Sequence, residues 1–261
     1  MKLLMFIFNL LILIQSAQAE MKPLSPTVYY IQIMDMNKKC LPREKKTTFL
    51  DAKYMNIGPR DLISKKNKPI SVCSSDYKNC GVEGSCALVN GYESILQQLA
   101  NGNFEIINYQ AQGKKTGRYY FSHIEEDRCP YGLGKRNICL DPFFSVAADL
   151  SFYKLGDVIY VSALEGVKLP TGEVHNGYMI VRDRGGAIKG ANRFDFYSGF
   201  LPYKHPKNVF FEIGLANEKN KEIFFEKITD GKVIEEVLLK RNFPLVPAGN
   251  TQESFIRSIA E

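Results

Sequence analysis

Asp183-Arg184-Gly185-Gly186-Ala187-Ile188-Lys189-Gly190-Ala191-Asn192-Arg193-Phe194-Asp195-Phe196-Tyr197-Ser198-Gly199 places a carboxylate at each end of a glycine-rich turn. The first acid follows an apolar run, Tyr178-Met179-Ile180-Val181. The second sits in an alternating segment, which predicts a strand with Phe194 and Phe196 on one face and Asp195 and Tyr197 on the other. Aspartate is depleted from strands, so an acid among aromatics there asks for a reason. Gly185, Gly186 and Gly190 permit positive φ or close approach of another chain. A strand, a tight glycine-rich crossing and a second strand would bring the two carboxylates into one cleft. On spacing alone a glycine-rich hairpin with two exposed acids is the plainer reading, because acids near turns are common.

Working outward, Ser145-Val146-Ala147-Ala148-Asp149 precedes a short turn, Leu155-Gly156-Asp157. Together with Asp-x-Gly-Gly-Ala-Ile-Lys-Gly and Phe-Asp-Phe-Tyr, these pieces resemble the signature of the 3D domain. That domain is named for three aspartates and is shared with the membrane-bound lytic transglycosylase A family. The resemblance covers roughly residues 135–200. It implies a mainly β fold, a double-psi β-barrel with interlocked crossings, and an exported peptidoglycan lytic transglycosylase. Such an enzyme cleaves the β-1,4 bond between N-acetylmuramic acid and N-acetylglucosamine and leaves a 1,6-anhydro product. Asp195 is the acid that the resemblance puts first, acting as general acid and then as general base. Its neighbours Phe194 and Phe196 are expected to lower the local dielectric and raise its pKa. Asp183 either lines the cleft as a second catalytic carboxylate or holds the barrel crossing, and Asp149 leans toward the structural role. Lys189 and Arg193 are candidates for substrate contact, with surface solvation the more usual fate of such side chains. His175 lies in a polar turn and either faces the cleft or is a bystander. No metal and no cofactor are expected.

Residues 1–19 read as a targeting segment: Lys2, an apolar run from residue 3 to 14, and Ala17-Gln18-Ala19 as the cleavage signal. The apolar run is short for a membrane span, and no cysteine at the site offers a lipid anchor. A stable membrane anchor is therefore not expected, and cleavage after Ala19 would deliver a periplasmic or secreted chain. Cleavage would leave 242 of the 261 residues and, with Lys2 gone, take the net charge from +6 to +5. A moderately basic exported protein suits an anionic envelope polymer such as peptidoglycan glycan strands. Nucleic acid is disfavoured, since no dense basic helix is present. There is no tryptophan to stack on sugars, but fourteen tyrosines and seventeen phenylalanines supply aromatic faces.

Six cysteines in an exported chain predict disulfides, with Cys129 and Cys139 the preferred pair; the absence of a Cys-x-x-Cys spacing and the scattered histidines argue against zinc. Residues 27–34, 104–109, 119–123, 158–161, 178–181, 208–213, 222–228 and 233–239 read as strands, and residues 90–101 as an ambiguous helix. The expected organisation is a cysteine-containing N-terminal region over residues 20–125, the 3D-domain barrel over 126–245, and a C-terminal tail over 246–261. A monomer is expected. Two other functions compete with the transglycosylase: a non-catalytic module that binds peptidoglycan or another polysaccharide, and a β-1,4-glycan hydrolase using Asp195, a second carboxylate and water.

Overall fold

The computed structural model describes residues 21–91, 104–114, 116–124, 128–216 and 223–244. The targeting segment, most of the expected helix at 90–101 and the C-terminal tail lie outside the described residues. Among the described residues fourteen strands follow in chain order: β1 Lys22–Pro23, β2 Ser25–Tyr29, β3 Gln32–Asp35, β4 Lys46–Thr48, β5 Leu50–Asp51, β6 Ser71–Cys73, β7 Ser85–Val89, β8 Glu105–Gln112, β9 Tyr119–His123, β10 Ser145–Ala148, β11 Val158–Tyr160, β12 Tyr178–Asp183, β13 Arg193–Tyr197 and β14 Phe224–Lys227.

The larger sheet runs β1-β14-β11-β12-β10-β13-β2. Its two edge strands are separated in sequence by Leu24 alone, so one extended stretch, residues 22–29, bonds to both edges of the sheet. Lys22 pairs with Phe225 of β14, while Ser25 to Tyr29 run parallel to Arg193 to Tyr197 of β13. Leu24 N–H donates to the Ile223 carbonyl and Ser25 N–H to that of Asn192, at 2.8 and 2.9 Å. Counted as one strand, this stretch closes a six-stranded barrel. The pairs β10–β12 and β13–β2 are parallel and the others antiparallel, so the chain must cross over itself between them. That is the mainly β, barrel architecture expected from the sequence.

Alternation decides what fills the barrel. Phe194, Phe196, Val146, Ala148, Val181 and Phe225 are all buried in one cluster, with Phe194 edge-on to Phe225 at 4.9 Å between centroids. Interior-facing side chains of a small barrel pack its centre solid. A second sheet, β3-β7-β8-β9-β5, has its own core around Phe49, Tyr77 and Phe121. The strand expected at 27–34 breaks between the two sheets, β2 serving the barrel and β3 the second sheet, with Ile31 N–H bonded to the Gly199 carbonyl at 2.8 Å. The barrel thus takes one strand from the region preceding residue 126.

Two expected strands are helices. Residues 233–239 lie in the helix Gly231–Lys240, whose N-cap Asp230 accepts from the N–H groups of Lys232 and Val233. Val233, Ile234, Val237 and Leu238 pack against the barrel core, a spacing of three to four residues rather than two. Residues 208–213 hold the short helix Val209–Glu212, capped by the Asn208 side chain. Both segments look like strands by composition, and their caps and period override it. Among the described residues no helix is long and apolar enough to cross a membrane.

The cysteines form Cys40–Cys73, Cys80–Cys86 and Cys129–Cys139, the last being the pair preferred from sequence, and none is free. Thiol titration of denatured, unreduced protein is expected to find none, and finding two or more would contradict this pairing. Removing a bridge is expected to cost roughly 2–5 kcal/mol of stability.

Candidate active site

Three neighbouring strands put Asp183 and Asp195 on one row. Ala147 of β10 is the register partner of Asp195 on β13 and also of Asp183 on β12. On the far side of β13, Asp195 pairs with Thr27 of β2. Register partners present their side chains to the same face, so the row reads Asp183, Ala147, Asp195, Thr27. The two acids stand about 10 Å apart at Cα, twice the strand spacing. The residue between them is an alanine, which leaves the space above it open.

A β-bulge makes this row. Val146 pairs with Val181 but Ala147 pairs with Asp183, so Arg182 is an extra residue on β12. Without it Arg182 would face Ala147 and Asp183 would turn toward the other face, because strand side chains alternate. Arg182 is 1% exposed, donating through Nη1 to the Cys139 carbonyl and through Nη2 to the Arg241 carbonyl, both at 2.9 Å. Gly134 presses against the same place. A Cβ there would sit 2.5 Å from the Arg182 carbonyl oxygen, so only glycine lets the turn at residues 133–137 lie on β12.

The acids line a cleft of about 540 Å³ with Tyr29, Glu83, Lys135, Arg136 and Arg184. One wall is therefore the barrel, another the end of the helix Ser74–Glu83, and a third the turn inside the Cys129–Cys139 loop. Oδ1 of Asp195 is buried and has no hydrogen-bond partner, while Thr27 bonds to its carboxyl group. Burial pushes the Asp195 carboxyl above the usual range. Asp183 accepts from Arg184 N–H at 2.8 Å and from the Lys135 backbone, with the Tyr29 hydroxyl at 3.5 Å. Its pKa is raised to about 7, first by burial and further by the charge of Asp195. Phe194 and Phe196, expected to desolvate Asp195, point the other way into the barrel. The cleft walls do that work instead.

The remaining sequence candidates lie elsewhere. Asp149 accepts from Gly190 N–H at 2.9 Å, Ser151 N–H at 3.1 Å and the Ser151 hydroxyl at 2.8 Å, which ties the glycine-rich loop to β10. Those bonds, that of Gly190 first, hold its carboxyl at about 2. In that loop Gly190 takes φ +95° and Gly185 lies where a Cβ would meet Ile188 at 2.4 Å. Lys189 is exposed, and Arg193 reaches the Ser25 hydroxyl at 3.4 Å. Neither lines the cleft. His175 is buried in the barrel, stacked on Phe144 at 4.5 Å, with Nε2 donating to the Phe143 carbonyl and Nδ1 accepting from Gly177 N–H, both at 2.8 Å. Burial lowers its pKa to about 4, so it is a neutral structural group. Sequence reading missed Tyr29, Glu83 and the Lys135-Arg136 turn, since only the closure of the barrel and the second sheet bring them in.

Asp149→Asn is expected to melt below the parent at pH 7 and to lose activity in step with stability. A carboxyl held below its ordinary value stabilises above about pH 4 and loses that contribution as pH falls toward 2. The difference between variant and parent melts should therefore narrow below pH 4, and a constant difference would contradict the assignment.

The fold and the site define a six-stranded barrel with a paired-carboxylate cleft on its outer wall. Residues 144–203 match the family model of the 3D domain, which contains all three aspartates. Among solved structures the chain is similar to Escherichia coli MltA with bound chitohexaose, at 16% identity and a TM-score of 0.42, covering 71% of this chain and 68% of that one. It is also similar to a membrane-bound lytic murein transglycosylase from Agrobacterium tumefaciens, at 15% identity and a TM-score of 0.44, over 81% and 75% of the two chains. LtgG, a lytic transglycosylase of Burkholderia pseudomallei, gives 14%, 0.37, and 78% and 72%. No curated protein sequence matches the chain.

Proposed function

We propose that this protein is an exported peptidoglycan lytic transglycosylase with Asp195 as its single acid–base group. The observation that carries the reading is the Asp195 carboxyl, whose Oδ1 is buried and unpartnered beside Asp183 in a cleft of the 3D-domain segment. A protonated carboxyl with a free oxygen is a donor in want of an acceptor, and a glycosidic oxygen can be that acceptor. Asp195 gives its proton to the leaving oxygen as the C1–O bond breaks. The 6-hydroxyl of the muramic acid residue then bonds to C1, and its proton passes to the Asp195 carboxylate. The group ends as it began, and no water is consumed. Asp183 lies two strands away, across β10, and orients sugar hydroxyls or adds negative charge near C1. Cleavage after Ala19 delivers the chain to the periplasm or the exterior, where three disulfides persist.

Digestion of purified sacculi with mass spectrometry of the products tests this. Soluble 1,6-anhydro muropeptides are expected. Reducing ends in their place would make the protein a hydrolase, and pull-down without release would make it a binding module.

A further inference from the structure

Glu83 is the acid in the cleft that neither the motif nor the barrel supplies. It is the last residue of the helix Ser74–Glu83 and belongs to the second sheet's side of the molecule. A six-residue separation closed by Cys80–Cys86 holds it. Within that ring Gly81 lies under Tyr119, where a Cβ would sit 2.3 Å from the ring, so the turn is pressed flat on β9, with Val82 exposed and Glu83 half-buried. Gly84 takes φ +86° to end the helix, its N–H bonding to the Cys80 carbonyl at 3.0 Å and its carbonyl accepting from Tyr109 N–H at 2.7 Å. These constraints fix the backbone at Glu83. It lines the same cleft as Asp195, from the helix rather than from the barrel.

We propose that Glu83 is a second catalytic residue, whose carboxylate meets the sugar from the helix wall of the cleft and stabilises the positive charge that develops at C1. The inference rests on the proposed transglycosylase reading. No bond forms to Glu83: the C1–O bond breaks with the Asp195 proton, the C1–O6 bond forms, and the O6 proton returns to Asp195. Glu83 supplies negative charge already in place as the transition state forms, which costs no reorganisation at the moment of reaction. Burial, and after it the charge of Asp195, hold the Glu83 carboxyl above its ordinary range. The ring Cys80–Cys86 then has a function beyond stability, since it aims this side chain.

Glu83→Gln keeps the shape and removes the charge. It is expected to lower kcat by roughly 10²-fold with KM nearly unchanged, with Glu83→Asp intermediate. Cys80→Ser/Cys86→Ser is expected to lower kcat in the same direction, because the side chain is no longer aimed. A readout independent of turnover is the carbon-13 NMR titration of the Glu83 carboxyl. Its midpoint is expected to fall in Asp195→Asn, since a like charge is lost, while Tyr29, Asp183 and the bases Lys135, Arg136 and Arg184 around the cleft are all kept. An unshifted midpoint overturns the proposal. So does a parental kcat in Glu83→Gln beside a silent Asp195→Asn, which leaves the transglycosylase reading standing. If the parent itself releases no product, the transglycosylase reading falls instead, and Glu83 loses its substrate with it.

Discussion

Asp195→Asn is expected to abolish turnover while the protein melts as the parent does. The amide keeps the size of the carboxyl and its bond with Thr27, but it cannot carry a proton. General acid–base groups contribute roughly 10²–10⁴-fold, and here one group serves both steps, so the loss should reach the upper part of that range or exceed it. Packing should not suffer, because Phe194 and Phe196 on the other face of β13 supply the core contacts. Sugar binding should persist. The check is release of anhydro muropeptides, measured beside a thermal melt. A variant that folds and still turns over at the parental rate would remove Asp195 as the acid.

Asp183→Asn is expected to raise stability at neutral and alkaline pH, against the usual direction for a buried polar site. In the folded protein Asp183 is raised to about 7, from an ordinary 3.8. Between those values the folded state holds a proton that the unfolded state has released, so stability falls as pH rises from about 4 to 7 and stays reduced above. An amide has nothing to ionise and can still accept from Arg184 N–H. The variant should melt on the order of 5 °C higher at pH 8, with the gain vanishing near pH 4. Melts across that range decide it: a pH-independent difference would mean that Asp183 is not held protonated by its site. A cost of this kind, carried by a residue next to the reacting group, is what a functional site tolerates and a structural one does not.

How far the sequence reached follows from which interactions are local. The alternation of Phe194, Asp195, Phe196 and Tyr197 fixed the two faces of β13 correctly, because side-chain direction in a strand needs no tertiary information. The motif also brought Asp183 and Asp195 together. What it could not supply was the extra residue at Arg182, since a bulge is defined against its partner strand and β10 lies some 35 residues away. The source of desolvation at Asp195 was misassigned for the same reason: the nearest residues in sequence occupy the opposite face. Tyr29 and Glu83 carry no sign of the cleft in the sequence: the pairing of β2 with the distant β13 brings in Tyr29, and Glu83 enters at the end of a helix on the second sheet's side. The helix Gly231–Lys240 was legible, with Asp230 as cap and apolar residues at helical spacing, and was read as a strand because β-branched composition outweighed period.

The closing strand at residues 22–29 bears on the order of assembly. Its partners Phe225 and Arg193 lie about 200 and 170 residues further along the chain, so almost the whole polypeptide must be present before either edge is matched. A chain synthesised amino end first delivers the keystone before the arch. Until β13 and β14 arrive that segment has nothing to pair with, and when they arrive first in a refolding reaction they are bare sheet edges. Contacts of such sequence separation slow folding through the loop entropy they must overcome. Closure of the barrel is then the late event, and it is also the one that seats Thr27 and Tyr29 beside the two acids. The cleft is complete only when the ring is.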